Sequence, residues 1–216
     1  MTEPVKGKTD AGRRREQRAR QRRERVVDAA SRLFGERGYV ATTIEAIARE
    51  AGVAPATVYQ AFGTKQAILA RILDVTIAGD AGPAVLLDRD WVRQAARHPD
   101  PRQRLALVVR HTSQVAARTA SVKEVMRDAA AADPAVRQLL LEDDRRRYLT
   151  QQALVDLIIG AGSLRPGCDR DHAVATFFAL VSSHGYQLLA TQLGWSPDDW
   201  QRWLTGVLDR ELFSPG

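Results

Sequence analysis

Few residues in this sequence have the types and spacing needed for chemistry of their own. Asp169 and His172 stand three positions apart with Cys168 beside them, which resembles half of a metal site. A dinuclear helical site needs two such acid–histidine sets, and the second is missing, so we interpret Asp169 as a helix cap. His111 and His184 show no spacing to a serine that predicts a nucleophile with its base. We therefore expect no metal, no cofactor and no enzymatic activity.

The strongest chemical signal is ionic and lies in the first third of the chain. Residues 1–65 carry 14 Lys and Arg against 8 Asp and Glu, whereas residues 66–216 carry 18 of each. A basic segment attached to a neutral body favours a polyanionic partner for the segment. Residues 1–20 have almost no large apolar side chain, so we expect a disordered basic arm that contacts phosphate or the minor groove. The alternative is a solubilising tail.

Composition narrows the class of protein further. The chain is 44% hydrophobic and has one cysteine, Cys168, so it can bury a core but cannot form an internal disulfide. The longest nearly unbroken apolar run, Ala173 to Val181, is far shorter than the roughly 20 residues that cross a bilayer. The N-terminus is charged and resembles no signal peptide. We expect a cytoplasmic protein with no membrane partner.

Hydrophobic periodicity predicts the helices that carry the charged residues of the basic region. Apolar residues recur at helical spacing from Arg22 to about Arg37, and Gly38 follows as a C-cap. Thr42 and Glu45 then have the spacing of a capping box that opens a second, short helix.

A glycine turn joins that short helix to another one. Gly52 can adopt a positive φ, Pro55 suits the first position of a helix, and the small Ala48 lets two helices cross closely. Val53 and Val58 would seal the space between them. Two short helices joined in this way form a helix-turn-helix, whose second helix lies in the major groove of DNA.

The sequence pattern predicts helices in the rest of the chain as well. Nothing beyond residue 65 has the pattern of a strand, and each separator contains Pro, Gly or a capping Asp. The predicted helices are roughly 65–79, 88–97, 101–119, 121–131, 134–161, 170–193 and 197–213. The predicted fold is all-α, with the arm at 1–20, a three-helix helix-turn-helix domain at 21–65 and a larger helical domain at 66–216.

The stretch from Arg22 to Leu69 resembles the DNA-binding domain of TetR-family transcriptional regulators. Three segments carry the resemblance: 42–48 (TTIEAIA), 51–53 (AGV) and 57–65 (TVYQAFGTK). Ala54 departs from the family, which often has serine there, so the recognition helix lacks a side-chain N-cap, although Pro55 offsets part of that loss.

Double-stranded DNA is the partner that this resemblance implies. The implied DNA-contacting residues are Thr42, Thr43, Pro55, Ala56, Thr57, Tyr59, Gln60 and Lys65. Of these, Thr42, Thr57, Tyr59 and Lys65 would contact phosphates, and Pro55, Ala56 and Gln60 would lie near base edges.

The resemblance also implies that the larger domain binds a small molecule and forms a homodimer. Large or polar-tipped residues on otherwise apolar helices are candidates for the ligand cavity, although each also fits an ordinary core. These candidates are Trp91, His111, Met126, Tyr148 and Phe178.

Apolar stripes on the last two predicted helices must be covered by something. Segments 182–189 and 194–200 are similar to the final helices of some family members, where two subunits pair. The expected dimer interface comprises Phe177, Val181, Gly185, Leu188, Trp200, Trp203, Leu204 and Val207.

These expectations converge on a dimeric repressor that binds DNA in a sequence-specific manner and is released from an inverted repeat by a small molecule. One rival is an architectural nucleic-acid binder whose body only dimerises. A second rival, a helical enzyme or membrane-surface protein with a basic tail, is disfavoured because the basic region lacks a large apolar face.

Overall fold

The computed structural model describes residues 10–79, 89–160 and 164–214, which contain helices and no strands. The helices are α1 (Asp10–Ala41), α2 (Ile44–Glu50), α3 (Pro55–Phe62), α4 (Lys65–Ala78), α5 (Asp90–Arg97), α6 (Pro101–Ala130), α7 (Pro134–Ile159), α8 (Arg170–Leu180), α9 (Ser183–Tyr186) and α10 (Pro197–Leu212). A π-helical segment, Gln187–Gln192, continues α9. The all-α prediction is confirmed.

The chain divides into two compact units, Met1–Ile72 and Leu73–Gly216. The division falls inside α4, later than the boundary after residue 65 that the sequence predicts. Ile68, Leu69 and Ile72 on the first turns of α4 are all buried.

The first helix is longer than its apolar pattern indicates. It begins at Asp10 rather than near Arg22, so residues 10–20 are helical instead of a disordered arm, and residues 1–9 lie outside the described part. Arginine is a good helix former, and Asp10 in the first turn suits the helix dipole. Arg20 also donates to Glu24 one turn later, at 2.8 Å.

Gly38 interrupts α1 as predicted. It has φ 76° and ψ 164°, a backbone conformation that L side chains rarely adopt, and one more helical turn follows to Ala41. The core of the first unit takes its side chains from all four helices: Val26, Ala29, Ala30, Leu33, Phe34, Ile47, Ala48, Val58, Ile68 and Leu69.

The second unit packs around α6, α7, α8 and α10. Its core includes Leu105, Val108, Leu154, Ile158, Val174, Phe177, Trp200, Leu204 and Leu208. The predicted helices 101–119 and 121–131 are one helix, α6, because neither Pro nor Gly stands between them.

The predicted helix 170–193 is broken. α8 ends at Leu180, Val181 leaves helical geometry with ψ 72°, and the Ser182 hydroxyl accepts a hydrogen bond from the Gly185 amide at 3.1 Å to start α9. No Pro or Gly precedes this break, so the break has to be explained by contacts from elsewhere in the unit.

Two side chains of α7 satisfy the carbonyl groups that the break frees. Arg147 donates to the carbonyl oxygens of Phe178 and Val181 at 3.0 and 3.2 Å. Gln151 donates to Val181 as well, at 2.9 Å. The Arg147 guanidinium also lies 3.7 Å from the centre of the Phe178 ring. These bonds tie α7 to α8 at the break.

Length and composition give a weak membrane signal in this same region. Among the described residues, no single helix is long and apolar enough to cross a bilayer. Arg170–Leu180 and Ser183–Gln192 pass that test only when joined, across a bend of 42°.

Candidate nucleic-acid interface

The turn between α2 and α3 has the geometry that the sequence predicts for a helix-turn-helix. Gly52 has φ 63°, and the amide of Val53 donates to the carbonyl of Ala48 at 3.0 Å. Ala48 and Val58 are fully buried, and Val53 is half-buried, so these side chains pack between α2 and α3.

The exposed side of α3 carries most of the expected recognition residues. Pro55, Ala56, Tyr59 and Gln60 are all exposed and share one face at helical spacing, while Thr57 is half-buried. As predicted, Ala54 gives α3 no side-chain cap, and Pro55 occupies its first turn. This face of α3 can reach base edges and backbone phosphates.

Tyr59 is poised as a hydrogen-bond donor at the edge of this face. Its hydroxyl lies 3.3 Å from a carboxylate oxygen of Glu45 on α2. The negative charge of Glu45 raises the pKa of the Tyr59 phenol above its ordinary value. The phenol therefore keeps its proton at neutral pH and can donate it to a phosphate oxygen.

The structure corrects the role expected of Thr42. This residue is buried, with 1% of its surface exposed, and its hydroxyl donates to the carbonyls of Leu33 and Gly38 at 3.2 and 2.8 Å. It cannot reach a phosphate in this conformation. The N-cap of α2 is Thr43, which is exposed and accepts from the Ala46 amide at 3.1 Å, so the predicted capping box of Thr42 and Glu45 is wrong.

Lys65 is also engaged within the protein. Its ammonium donates to the carbonyls of Tyr39 and Thr42 at 2.8 and 2.9 Å and lies 4.1 Å from the centre of the Tyr39 ring. These contacts tie the first residue of α4 to the segment between α1 and α2. The geometry favours a positioning role for Lys65 over the phosphate contact that the family resemblance implies.

The expected ligand-cavity residues form two ring pairs and one buried side chain. Trp91 and His111 are stacked with centroids 4.5 Å apart, Tyr148 and Phe178 meet edge to face at 5.3 Å, and Met126 is fully buried. Burial, followed by the charges of Arg110 and Arg89, lowers the pKa of His111, so a neutral imidazole is favoured against the Trp91 ring.

The expected dimer residues divide into two groups. Phe177, Val181, Trp200 and Leu204 are buried in the core of their own chain, which already covers the stripe they form. Gly185, Trp203 and Val207 are partly exposed, and Leu188 keeps 40% of its surface exposed. Leu193, which the sequence reading did not single out, is 68% exposed.

Sequence reasoning also missed the buried polar contacts of the second unit. Arg104 donates to the carbonyls of Ile158 and Ile159 at the end of α7, both at 2.8 Å. Lys123 and Asp143 form a buried ion pair between α6 and α7. Lys123 occupies a position in the apolar stripe of α6. A charged residue at such a position was the signal in the sequence that could have indicated a buried ion pair. Among the described residues, no three His, Cys, Asp or Glu side chains are grouped as metal ligands would be.

A short helix that exposes one face, follows another helix across a glycine turn and belongs to a unit with a basic first helix defines a helix-turn-helix DNA-binding protein. The sequence model described as bacterial regulatory proteins, tetR family, matches residues 26–72. The HTH-type transcriptional regulator BetI of Rhizobium meliloti (strain 1021) is 30% identical over 163 residues, which is 74% of each chain. The chain therefore belongs to the TetR family of bacterial transcriptional regulators.

Solved structures share the fold over most of this chain. A transcriptional regulator of Saccharomonospora viridis in complex with choline is 24% identical with a TM-score of 0.64, and 89% of this chain covers 98% of that one. FadR of Bacillus subtilis in complex with stearoyl-CoA is 20% identical with a TM-score of 0.65, and 86% of this chain covers 96% of it.

The contacts of Lys65 generate a prediction that separates positioning from phosphate binding. Lys65→Met keeps the aliphatic stem but removes both hydrogen bonds, so the segment between α1 and α2 loses its anchor. We expect a lower melting temperature and weaker DNA binding on every sequence, with an unchanged slope of log K against log salt. The melting temperature follows from calorimetry, and the slope from fluorescence anisotropy at several salt concentrations.

Arg145→Met removes one positive charge from an exposed position on α7 and serves as the control. A slope reduced by about 0.9 per lost contact in Lys65→Met, with no loss of stability, would instead assign Lys65 to a phosphate.

Proposed function

We propose that this chain is a homodimeric repressor that binds an inverted repeat in double-stranded DNA through α3 of each protomer. The observation that carries the proposal is the face of α3, where Pro55, Ala56, Tyr59 and Gln60 are exposed while Val58 on the opposite side is fully buried. A helix that exposes one face in this way fits the major groove, where Tyr59 and Gln60 can form hydrogen bonds. Membership of the TetR family supports regulation of transcription as the purpose, and we propose that the protein acts on DNA in the cytoplasm.

The operator is constrained by the symmetry of a dimer. Two recognition helices related by a twofold axis enter successive major grooves about 34–36 Å apart. Selection of duplexes from a random pool by the full-length chain should therefore enrich one short motif in two inverted copies. Recovery of sequences with no common motif would favour the architectural rival.

Gln60 is the side chain on this face best suited to read a base. An amide can accept from N6 and donate to N7 of adenine, and such a bidentate pair discriminates by about 1–3 kcal/mol. Gln60→Ala should flatten the preference at one base pair in each half-site and leave the others unchanged, as measured by repeating the selection.

Gln21→Ala removes an exposed glutamine outside α3 and should reproduce the wild-type motif. If Gln60→Ala also reproduces it, Gln60 does not read a base.

The dimer surface that we propose lies on the last helices of the second unit. Leu188 and Leu193 are exposed, and Trp203 and Val207 are partly exposed. Large apolar side chains in one region favour contact with another protein surface. Trp203 also contacts the rings of Trp195 and Trp200, so its replacement would disturb the core and the interface together.

Leu188→Glu therefore tests the interface more cleanly than a change of Trp203. A carboxylate at an apolar interface remains desolvated and unpaired, so we expect dissociation at micromolar concentrations where the wild type is dimeric, measured by sedimentation equilibrium. Leu149→Glu, at a leucine 57% exposed on α7, is the matched control and should stay dimeric. A monomeric wild type would reject the proposed interface.

A small-molecule effector is the third element of the proposal. Two proteins of the same fold were solved with choline and with stearoyl-CoA, and the second unit of this chain offers the ring pairs Trp91–His111 and Tyr148–Phe178. We propose that an effector bound in this unit alters α4, and through it the presentation of α3. A coupling of about 1–3 kcal/mol would change DNA affinity 5- to 150-fold.

Choline and stearoyl-CoA are the two probes for this coupling. Linkage requires that the selected duplex weakens binding of the effective probe by the same factor by which the probe weakens DNA binding. Isothermal calorimetry with and without the duplex measures the first factor, and anisotropy measures the second. Equal probe affinities in both calorimetric titrations would reject induction by that probe.

A further inference from the structure

α1 extends well beyond the core that it helps to form. Its first buried residue is Val26, and residues 10–25 are exposed apart from the half-buried Gly12. These 16 positions form a solvated helix, which is held by local pairs such as Arg20 with Glu24. The extension contains eight arginines: Arg13, Arg14, Arg15, Arg18, Arg20, Arg22, Arg23 and Arg25.

The arginines are not equivalent around this helix. At 3.6 residues per turn, Arg14, Arg18, Arg22 and Arg25 fall within an arc of about 80°. We call these four residues the arginine stripe. Within residues 10–25, no carboxylate falls within this arc. In the parts of the chain that the structure describes, none of the four forms an ion pair or a hydrogen bond through its side chain.

The opposite side of the extension is partly neutralised. Arg13 pairs with Asp10, and Arg20 pairs with Glu24. The positive charge available to a partner is therefore concentrated on the stripe.

The stripe lies on the side of α1 that faces α2. Arg32 stands on the same line of the helix as Arg14, Arg18 and Arg25, and it pairs with Glu50, the last residue of α2. This pair marks the direction in which the line of arginines points. In a helix-turn-helix, α2 is the helix that crosses the phosphate backbone.

The width and length of the extension determine which part of a DNA duplex it can contact. A helix is about 10–12 Å wide with its side chains, whereas the minor groove is about 6 Å wide. A helix therefore does not fit into the undistorted minor groove, which an extended arm could enter. The stripe spans about 16 Å from Arg14 to Arg25, which corresponds to about five phosphates along one strand.

We propose that the arginine stripe binds the phosphate backbone of the duplex that flanks the half-site read by α3. This inference rests on the proposed function for the duplex itself and adds a second, sequence-independent contact surface. Guanidinium groups without protein partners suit phosphate oxygens, which they bind in a bidentate manner. Charge complementarity is what selects DNA as the occupant.

The helix supplies its own matched control for this proposal. Arg14, Arg18 and Arg22 lie on the stripe, whereas Arg13, Arg20 and Arg23 lie on the opposite side. Changing either set to glutamine removes three positive charges and retains a good helix former. The control set also loses the two local ion pairs, so any general loss of helix, measured by circular dichroism, would affect the control more.

The measurement is binding of the full-length chain to a 40-base-pair duplex of random sequence, by anisotropy at several salt concentrations. The stripe variant should lower the slope of log K against log salt by about 2.7 per protomer, because each lost phosphate contact removes about 0.9. The control variant should keep the wild-type slope. Equal losses in both variants would mean that only net charge matters, and no loss in either would remove the surface altogether; both results overturn the proposal.

Two further duplexes separate this inference from the proposed function. On a selected duplex trimmed to its half-sites, the stripe variant should bind with the affinity of the wild type. Adding flanking base pairs to that duplex should raise the affinity of the wild type alone. If the wild type selects an inverted repeat but does not respond to the flanks, the stripe proposal fails and the proposed function stands. If no motif is selected while the slopes differ as expected, the proposed function fails and the stripe stands.

Vesicles of phosphatidylglycerol provide the last comparison in this experiment, since they present phosphate on a lipid surface. Binding to these vesicles that depends on the stripe, together with DNA binding that does not, would assign the stripe to a membrane and overturn the proposal.

Discussion

The DNA-binding unit depends on two side chains that donate hydrogen bonds to carbonyl groups near the interruption of α1 at Gly38 and just beyond the end of that helix. A buried carbonyl without a donor is costly, and here Thr42 and Lys65 donate in addition to the Thr42 amide, which bonds to the Tyr39 carbonyl. Thr42 covers the carbonyls of Leu33 and Gly38, and Lys65 covers those of Tyr39 and Thr42. Thr42 precedes α2 and Lys65 opens α4, so the same four bonds fix where both helices begin relative to α1. The position of α3 follows, because α3 is joined to α2 by the turn at Gly52.

Local signals predicted the elements of this unit well. Gly52 has the positive φ that its turn requires, and Pro55 opens α3. The side-chain partners of Thr42 and Lys65 could not be predicted in the same way. They lie 9 and 26 residues away in the sequence, for Thr42 with Leu33 and Lys65 with Tyr39, and tertiary structure alone brings them together.

The basic extension of α1 shows a different limit of sequence reading. Composition correctly shows that residues 10–20 cannot bury a core, and disorder is the usual consequence. Helix propensity and pairs one turn apart oppose that consequence without any burial. The distinction matters for function, because a helix displays its arginines on fixed sides and an unfolded arm does not.

In the second unit, the sequence indicated that apolar stripes must be covered. It did not indicate whether the same chain or a second subunit covers them. Phe177, Val181, Trp200 and Leu204 are covered by their own chain. A stripe has the same pattern whether it faces a core or a second subunit, so burial had to come from the structure. The break after α8 has no local signal, since Arg147 and Gln151 on α7 stabilise it from more than 25 positions away.

The central claim is that α3 of this protein lies in the major groove of DNA. Dimethyl sulfate footprinting of the complex between the full-length chain and its selected duplex tests this directly, because it modifies guanine N7 in the major groove and adenine N3 in the minor groove. The account predicts protection of guanine N7 in two clusters about 10 base pairs apart, with adenine N3 inside those clusters still reactive. Protection of adenine N3 with guanine N7 left reactive would contradict it.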